Sequence, residues 1–288
     1  MSTSGDAEVA IVGLGVIGGS IALRLRERGS RVVGFSTSAA DCADAATAGV
    51  TVAPTVDDAV RDVGLVLVAV PLNHICRVSA QVIGAAPSRT TILHAGSLQR
   101  AEALRTPPEI APRLIGTHPL AGSHKSGFSG ARADLFRDAT VYVEQRADAR
   151  QRADAELFWS MAGARHIEYA TAAAHDDAMA LISHLPQLAS TALGATVSDL
   201  TTHRPDEGLT IQPGPGARDA TRLAMSALDM WQPLLEGAPR ATVDGLRALE
   251  QNIHRLRVAL EEGNWTALSE LWERAQAWRM AAGRGERT

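Results

Sequence analysis

The chain has 288 residues, of which 45% are hydrophobic and 21% are charged, and its formal net charge is −4. These values are typical of a globular protein with one large domain or two of ordinary size. The small negative charge gives no broad basic surface, so we expect neither nucleic acid nor a membrane as partner. We expect a small-molecule ligand instead, and an anionic one would have to be held by a few local arginines.

We expect a cytoplasmic protein. The N-terminal residues MSTSGDAE contain no apolar signal segment, and no apolar run approaches the ~20 residues that a helix needs to cross a bilayer. The two cysteines, Cys42 and Cys76, cannot form a disulfide framework and share no metal-ligand spacing with a histidine cluster. We interpret both as ordinary buried thiols and expect no metal site.

Short β-branched runs alternate with helical segments over residues 1–170. Most of the runs are continuously apolar, as expected for strands buried on both faces of a parallel sheet. Segments such as Ser20–Arg28 and Asp41–Ala48 suit the crossover helices between them. The alternation predicts a doubly wound α/β domain of the Rossmann type. The predicted strands are Val9–Val12, Arg31–Phe35, Leu65–Val70, Thr90–Leu93, Arg113–Ile115 and Thr140–Val143.

The strand signal then disappears, and residues 171–288 are predicted to form an all-helical second domain. Ala172–Val197 has the pattern of one long helix, interrupted only by Pro186, and a turn-rich loop over His203–Gly216 follows it. Apolar residues recur at helical spacing through Pro239–Glu261 and through the last helix. Such stripes form either a core or a seam between two copies of the domain. Both remain open, and we expect a homodimer through the C-terminal helices.

The run Gly13-Leu14-Gly15-Val16-Ile17-Gly18 directly follows the first strand and opens the first helix. A GxGxxG motif in this context is typical of dinucleotide binding. The first glycine permits the tight turn, the second lets the backbone approach a pyrophosphate, and the third lets the helix pack on the strand. The helix then directs the positive end of its dipole at the phosphates. We therefore expect Gly13, Gly15, Val16, Ile17 and Gly18 to bind a nicotinamide cofactor.

The choice between NADP and NAD depends on the end of the second strand, where an NAD enzyme usually carries an acidic residue for the ribose 2′-hydroxyl. Ser36 and Thr37 occupy that position instead. Small hydroxyl residues leave room for a 2′-phosphate and remove a repulsive charge, although no arginine stands beside them. The sequence favours NADP and leaves NAD open. We also include Pro71, directly after the strand Leu65–Val70, among the cofactor-binding residues.

Residues Gly116–Gly130 read GTHPLAGSHKSGFSG and contain Lys125, the only lysine among the 28 Lys and Arg residues of the chain. Two histidines, three serines and four glycines surround it. A lone lysine in such a run indicates an anion site. Lys125 and Ser126 lie in a glycine-flanked turn, where they either contact anions of substrate or cofactor or are solvated.

The same run resembles the HPxAGxxKSG motif of the prephenate/arogenate dehydrogenases, the TyrA family of tyrosine biosynthesis. The glycine-rich motif, Ser183–Pro186 (SHLP) and Gly214–Trp231 (GPGARDATRLAMSALDMW) also match the family pattern. The resemblance implies an NAD(P)-dependent oxidoreductase acting on a cyclohexadienol that carries a ring carboxylate. In that reaction hydride leaves C4 for the nicotinamide, CO₂ leaves C1, and the ring becomes aromatic.

The resemblance also assigns roles to three residues. His118 falls at the family's catalytic histidine, which takes the proton of the 4-hydroxyl group as hydride departs. Ser97 matches the serine that hydrogen-bonds the substrate hydroxyl and the histidine, with a helix N-cap as the alternative. Arg222 matches the arginine that binds a substrate carboxylate. Its alternative is a surface arginine paired with Asp219 or Asp229.

Two further residues of the helical domain are candidates for substrate binding. His184 belongs to the SHLP segment and is placed near the site by resemblance. His175 lies nine residues earlier, about 180° away on an ideal helix, so we interpret it as a helix-surface or core histidine. Gln187 stands where prephenate-specific relatives commonly carry a histidine associated with the pyruvyl side chain, and a glutamine amide can serve an amino-acid side chain instead.

Together with Ser36 and Thr37, Gln187 favours an NADP-linked arogenate dehydrogenase over an NAD-linked prephenate dehydrogenase. His124, where many relatives carry glutamate, is a second departure from the pattern. A dehydrogenase of 4-amino-4-deoxyprephenate in a specialised pathway remains an alternative, as does an inactive nucleotide-binding scaffold. Dehydrogenases with a catalytic lysine in the helical domain are disfavoured, because no lysine follows Lys125.

Overall fold

The computed structural model describes residues 9–122, 125–202 and 212–282. The described residues divide into two units. The first is drawn from Met1–Met179 and Ser226–Ala238, and the second from Ala180–Met225 and Pro239–Thr288. The boundary at residue 170 stays a prediction, and no sequence pattern indicated that a segment as late as Ser226–Ala238 belongs with the first unit.

An eight-stranded sheet forms the frame of the described part of the first unit. Its strands are β1 (Val9–Val12), β2 (Val32–Phe35), β3 (Thr51–Val52), β4 (Leu65–Val68), β5 (Thr91–His94), β6 (Leu114–Pro119), β7 (Thr140–Glu144) and β8 (His166–Ala170). They lie in the order β3-β2-β1-β4-β5-β6-β7-β8. Pairing is parallel from β3 to β6, β7 runs antiparallel to β6, and β8 runs parallel to β7. The order reverses between β1 and β4, as the doubly wound prediction requires, and such sheets bind ligands at that point.

The described helices, in chain order, are α1 (Val16–Glu27), α2 (Ala39–Thr47), α3 (Val56–Val60), α4 (Ile75–Ala85), α5 (Ala101–Leu104), α6 (Ala149–Ala162), α7 (Ala172–Met179), α8 (Leu185–Thr202), α9 (Pro215–Thr221), α10 (Leu228–Glu236), α11 (Arg240–Glu261) and α12 (Trp265–Ala282). Helices α1 to α7 and α10 belong to the first unit, and the other four belong to the second. The helix predicted from Ser20 begins four residues earlier, inside the glycine-rich motif.

The strand β1 shows why the sheet reads as continuous apolar runs. Val9 and Ile11 join one buried hydrophobic cluster, whereas Ala10 and Val12 join a second one. Because successive side chains of a strand point to opposite faces, both faces of the sheet are covered. The alternation of strands and helices in the sequence therefore predicted this architecture correctly.

Two strands of the sheet are absent from the sequence prediction. β3 has only two residues, which is too short for a periodic signal. β8 reads HIEYA, and its residues are exposed or half-buried at the edge of the sheet. An edge strand with polar residues produces no apolar run, so its pairing with β7 could be recognised only in the fold.

A π-helical turn, Ala180–His184, lies between α7 and α8. Pro186 is the second residue of α8, and a proline there lacks an N–H and would clash with the carbonyl group four residues earlier in a regular helix. The wider π turn directly before it accommodates the missing hydrogen bond. The helix predicted over Ala172–Val197 therefore exists as three successive segments that end at Thr202.

The C-terminal helices α11 and α12 carry large apolar side chains on the surface of the single chain. Trp265, Trp272 and Trp278 are 70%, 61% and 68% exposed, and Ile253 on α11 is 56% exposed. Ile253, Trp272 and Trp278 are therefore not core residues of the chain alone, whereas other members of the stripes are half-buried. The seam between copies stays a prediction.

Two smaller expectations concern membranes and thiols. None of the described helices has both the length and the apolar composition needed to cross a membrane. Cys42 and Cys76 are free and half-buried, not fully buried as predicted. Each thiol donates to a backbone carbonyl group, of Ser36 at 3.3 Å and of Arg105 at 3.1 Å, and such contacts near the surface leave part of each sulfur exposed.

Candidate active site

The glycine-rich turn connects β1 to α1 and has the geometry that the motif predicts. Gly13 has φ +105°, and a Cβ atom there would lie 2.3 Å from the carbonyl oxygen of Ala69. A Cβ atom on Gly18 would lie 1.9 Å from the carbonyl oxygen of Gly13, so this glycine lets α1 pack on the turn. A Cβ atom on Gly15 would meet nothing within 4 Å. The fold itself requires Gly13 and Gly18, whereas Gly15 keeps space open for a ligand.

That open space is part of a cavity of about 780 Å³ in the first unit. Its walls include Gly15, Val16, Ile17, Pro71, Ser97, Lys125 and Ser126, seven of the residues that the sequence nominated for cofactor or substrate. The sequence missed Asn73 and His74, which follow β4, and Asp229, Met230, Pro233 and Leu234 of α10. A cavity beside the N-terminus of α1 and at the carboxyl ends of β1 and β4 fits a dinucleotide.

Ser36 and Thr37 lie directly after β2 but do not line this cavity. The hydroxyl group of Ser36 accepts from the backbone N–H of Ser38 at 3.2 Å, and Ser38 in turn caps α2 by accepting from the N–H of Asp41. Thr37 is exposed. The end of β2 is therefore a hydroxyl-rich turn beside the glycine-rich turn, with Gly13 N–H donating to the carbonyl oxygen of Phe35 at 2.8 Å.

The loop that carries Lys125 is fixed to α2 by one hydrogen bond. The carboxylate of Asp41 accepts from the N–H of Phe128 at 2.8 Å, and Gly127 reaches this contact with φ +71°, a conformation that favours glycine. Lys125 and Ser126 are exposed at the cavity wall. His124, the second departure from the family pattern, lies outside the described residues.

Ser97 follows β5 by three residues and is half-buried at the cavity wall. The alternative that it caps a helix is wrong, because α5 begins only at Ala101 and its N-cap residue is Arg100. The neighbouring strand β6 carries His118 next to its last residue, and β5 and β6 are parallel. Ser97 and His118 therefore leave the same edge of the sheet from adjacent strands.

His118 is half-buried, and its Nδ1 atom lies 3.0 Å from Nε2 of His175. His175 lies on α7 and is 2% exposed. Its Nδ1 atom lies 2.8 Å from Oδ1 of Asp176, a carboxylate with no exposed surface. The rings of His118 and Tyr142 each pack against the ring of His175 in edge-on fashion, with centroids 5.1 and 5.2 Å away.

The carboxylate of Asp176 also accepts two backbone hydrogen bonds. Oδ1 accepts from the N–H of Gln99 at 2.8 Å, and Oδ2 accepts from the N–H of Arg100 at 3.0 Å. His175 is therefore buried, in agreement with the core interpretation, and it also contacts His118. It lies between His118 and a fully buried carboxylate, because α7 packs its N-terminal half against the segment after β5.

His94, the last residue of β5, is buried like His175. Its Nδ1 atom accepts from the N–H of Gly96 at 3.1 Å. Burial, as the largest cause, and the positive charge of Arg146 together lower the pKa of His94 from 6.5 to about 3, against the raising effect of Asp176. His94 is therefore neutral at physiological pH, and its acceptor shapes the turn that leads to Ser97.

In the second unit, Arg222 is exposed at the start of the short 3₁₀ helix Arg222–Met225. Within the described residues of this unit, it forms no ion pair with Asp219. Gln187 of α8 donates to the carbonyl oxygen of Leu223 at 2.9 Å. Ser190, one turn further on, donates to the carbonyl oxygen of Ala220 at 3.0 Å and accepts from the N–H of Ala224 at 3.2 Å. Helix α8 thus fixes the backbone on both sides of Arg222.

Gln187 is 5% exposed, and its side-chain oxygen Oε1 is buried without a hydrogen-bond partner among the described residues. His184 is 1% exposed and lies in the π turn, with Nδ1 3.1 Å from the hydroxyl oxygen of Thr242 on α11. Both side chains are therefore part of the packed second unit. A buried acceptor without a donor is uncommon in proteins and marks a place where a ligand can supply one.

Family models of prephenate dehydrogenase match both halves of the chain. The nucleotide-binding domain matches residues 21–168, and the dimerization domain matches residues 171–274. A cyclohexadienyl dehydrogenase of Zymomonas mobilis is 31% identical over 282 residues, which cover 95% of each chain. The chain belongs to the prephenate dehydrogenase (TyrA) family. It is an oxidoreductase whose reaction is the NAD(P)-dependent oxidative decarboxylation of a cyclohexadienyl substrate.

Solved structures of TyrA proteins share the fold. A prephenate dehydrogenase from A. aeolicus, in complex with hydroxyphenyl propionate and NAD⁺, superposes with a TM-score of 0.82 at 23% identity, covering 98% of this chain and 99% of that one. A Synechocystis arogenate dehydrogenase superposes with a TM-score of 0.81 at 24% identity, covering 96% and 99%. The nucleotide-binding domain and its neighbours support a nicotinamide cofactor for this TyrA chain.

Sequence reasoning missed the pair His175-Asp176 as part of the site of this TyrA protein. The available signal was a histidine next to an aspartate in an otherwise alanine-rich helix segment, since a charged pair among alanines is often buried with a partner. Comparing His175 with His184 on one helix could not find that partner, because it lies on a strand 57 residues earlier.

Proposed function

We propose that this chain oxidises arogenate with NADP, giving tyrosine, CO₂ and the reduced cofactor. The observation that carries the reaction type is the position of His118, at the carboxyl end of β6 and beside the strand that leads to Ser97 in the cavity wall. A cofactor cavity and a base at the same edge of one sheet are what the transfer of a hydride and a proton requires.

Each nominated residue then has a defined role. His118 takes the proton of the 4-hydroxyl group, and Ser97 hydrogen-bonds that hydroxyl group. Arg222 binds a substrate carboxylate, and the loop residues Lys125 and Ser126 contact an anionic group of substrate or cofactor. A nicotinamide held in the cavity beside Gly15 and Ser97 would supply the acceptor for the hydride of C4. Loss of CO₂ from C1 then leaves an aromatic ring, and this aromatisation drives the reaction.

The preference for NADP rests on the turn after β2. Ser36 and Thr37 present hydroxyl groups there, and the nearest carboxylate along the chain, Asp41, already accepts from the N–H of Phe128. A carboxylate at the strand end would repel a 2′-phosphate, whereas hydroxyl groups donate to it. Lys125, on the loop that Asp41 fixes, brings a positive charge to the cavity wall.

The preference for arogenate rests on Gln187. Its amide nitrogen is used by the carbonyl oxygen of Leu223, which leaves Oε1 as a buried acceptor. The amino-acid side chain of arogenate brings an ammonium donor that satisfies this oxygen. The pyruvyl side chain of prephenate offers only acceptors, so Oε1 would stay unsatisfied at a cost of about 1–3 kcal/mol. Oε1 of Gln187, which lacks a donor, therefore favours the amino-acid side chain of arogenate over the pyruvyl side chain of prephenate.

The dimer is proposed from the exposed apolar surface of α11 and α12. The matching family model is named a dimerization domain, and Trp265, Trp272 and Trp278 are exposed in the single chain. Burying such side chains between two copies removes a large apolar area from water. The chain should therefore elute as a dimer in size-exclusion chromatography with light scattering, and Trp272→Glu should shift it toward the monomer. We place this activity in the cytoplasm, where nicotinamide dinucleotides are supplied.

A matrix of initial rates tests the proposal. Arogenate, prephenate and 4-amino-4-deoxyprephenate are each assayed with NADP and with NAD, following formation of the reduced nicotinamide. The expected result is the highest kcat/KM for arogenate with NADP. A higher value for prephenate would reject the role of Gln187, and a roughly tenfold preference for NAD would reject the role of Ser36 and Thr37. Absence of turnover in all six combinations would favour the inactive scaffold.

A further inference from the structure

The contacts of His175 and Asp176 exceed what packing alone requires. A histidine and an aspartate in adjacent positions of α7 are both buried, and together with His118 they form an unbroken line of side-chain contacts at 3.0 and 2.8 Å. None of the roles given above uses either residue. Burial of an aspartate is costly unless its oxygens are hydrogen-bonded, so the arrangement calls for an explanation.

The donors and acceptors in this line determine which ring nitrogen of each histidine carries the proton. The N–H groups of Gln99 and Arg100 can only donate, so they require acceptor oxygens on Asp176. His175 must then donate from Nδ1 to Oδ1 of this carboxylate. A neutral imidazole carries one proton, so Nε2 of His175 is an acceptor, and the contact at 3.0 Å requires that Nδ1 of His118 donate to it. The Nε2 atom of His118 then carries no proton and has the lone pair of a base.

We propose that His175 and Asp176 are positioning residues that hold His118 in the basic tautomer and take up the positive charge it acquires. This inference rests on the proposed role of His118 as the base. The O–H bond of the substrate breaks and an N–H bond forms at Nε2 of His118. The proton on its Nδ1 atom passes to Nε2 of His175. The result is a neutral His118 and an imidazolium at His175 beside the carboxylate of Asp176, and the line holds one more proton than before, the one taken from the substrate.

The surroundings of the line are suited to this transfer. Tyr142 from β7 packs its ring on His175, and His94 from β5 is neutral at physiological pH and adds no competing charge. Arg146 adds a positive charge near His94, and Asp177 is turned away into an ion pair with the side chain of Arg100 at 2.7 Å. Asp176 is therefore the negative charge in direct contact with His175, and it reaches His118 only through that ring.

Two substitutions at position 175 separate the two parts of the proposal. In His175→Gln the side-chain oxygen can still accept from Nδ1 of His118, so the tautomer is kept, but no proton can be taken up. In His175→Phe the ring shape is kept and both functions are lost. We expect kcat to fall on the order of tenfold in the first variant and a hundredfold or more in the second. The KM for substrate should change less than about threefold, because His175 does not touch substrate.

The pH profile provides a readout that a merely structural role would not change. Without a carboxylate-linked partner, the imidazolium form of His118 is less stable, so the acid limb of log(kcat/KM) should move to lower pH in His175→Gln. Matched controls are His166→Gln on β8, which is exposed, and Asp177→Asn, which is half-buried; both lie outside the line. Wild-type kcat in folded His175→Phe that still binds the dinucleotide would overturn the proposal, as would a rise in KM with unchanged kcat.

A second measurement does not depend on turnover. In ¹⁵N-histidine-labelled wild-type protein above neutral pH, His118 and His175 should both carry their proton on Nδ1, and resonances are assigned with the variants His118→Asn and His175→Gln. A proton on Nε2 of either ring would overturn the inference. If both rings show the Nδ1 tautomer but no substrate turns over, the line of contacts stands and the proposed function fails.

Discussion

Each unit of the molecule buries a cluster of polar side chains, and the two clusters differ in what their hydrogen bonds reach. In the first unit, His118, His175 and Asp176 contact one another side chain to side chain, and the line ends on two backbone N–H groups. In the second unit, Gln187 and Ser190 bond to backbone groups on either side of Arg222.

The difference separates two tasks. Titratable side chains in contact can change their protonation state during a reaction, whereas amide and hydroxyl groups bonded to the backbone can only fix a position. On the proposed function, the first cluster would handle a proton and the second would hold an arginine in place for an anion. Substitutions in the first should mainly lower kcat, and substitutions in the second should mainly raise KM. The four predictions below test this contrast.

The largest effect is expected for His118→Asn. Loss of the base should reduce kcat by about 10²–10⁴-fold, the range that a positioned general base contributes. Initial rates at saturating substrate measure the loss, and dinucleotide binding, followed by fluorescence of the reduced cofactor, should stay within about twofold of the wild type. If the variant keeps wild-type turnover, another group is the base and the first cluster has a structural role.

Arg222→Ala is expected to have the next largest effect, and it tests the cluster of the second unit. Removing a charge-assisted hydrogen-bond pair worth about 1.5–3 kcal/mol should lower kcat/KM by roughly tenfold to several hundredfold, chiefly through KM. The matched control is Arg240→Ala, an exposed arginine whose ion pair with Asp244 is on the surface of α11. A fall in kcat at unchanged KM would contradict the division of tasks.

Some features of the first unit could be predicted from the sequence, and others could not. The glycine-rich turn, Ser97 and the lysine loop were predictable because each depends on a local motif, and the parallel sheet was predictable because its buried strands form apolar runs. The link from His118 to His175 joins a strand to a helix, and no spacing along the chain encodes it. The same holds for α10, whose side chains complete the cofactor cavity although the segment lies beyond the second unit's first helices.

His94 offers a test of the first unit that does not involve catalysis. The folded protein keeps this side chain neutral down to a pKa of about 3, whereas in the unfolded chain it is protonated below about 6.5. Protons therefore bind the unfolded state preferentially, so this group makes stability fall as pH drops below about 6.5, by at most about 1.4 kcal/mol per pH unit. The loss continues until His94 itself protonates near pH 3.

His94→Asn removes the titrating group and keeps an acceptor for the N–H of Gly96. Thermal unfolding of both proteins at about pH 7 and about pH 5 should show a smaller loss of stability in the variant, even if the variant is less stable throughout. Identical pH dependence in the two proteins would mean that His94 titrates normally. The surroundings of His118, His175 and Asp176 would then be more accessible to water than they are in the structure.

The smallest effect is expected for Ser190→Ala, which tests whether the second cluster acts only through position. The variant loses one hydrogen bond to Ala220 and one from Ala224. We expect about 1 kcal/mol of this loss to reach substrate binding, which raises KM roughly fivefold. Because Ser190 contacts backbone and not Arg222 itself, kcat should stay unchanged and Ser190→Thr should restore most of the loss. Thr196→Ala, which removes a hydroxyl group from the exposed side of the same helix, is the control. An effect on kcat as large as that on KM would mean that fixing the arginine also matters in the transition state, and the two clusters would then share one task.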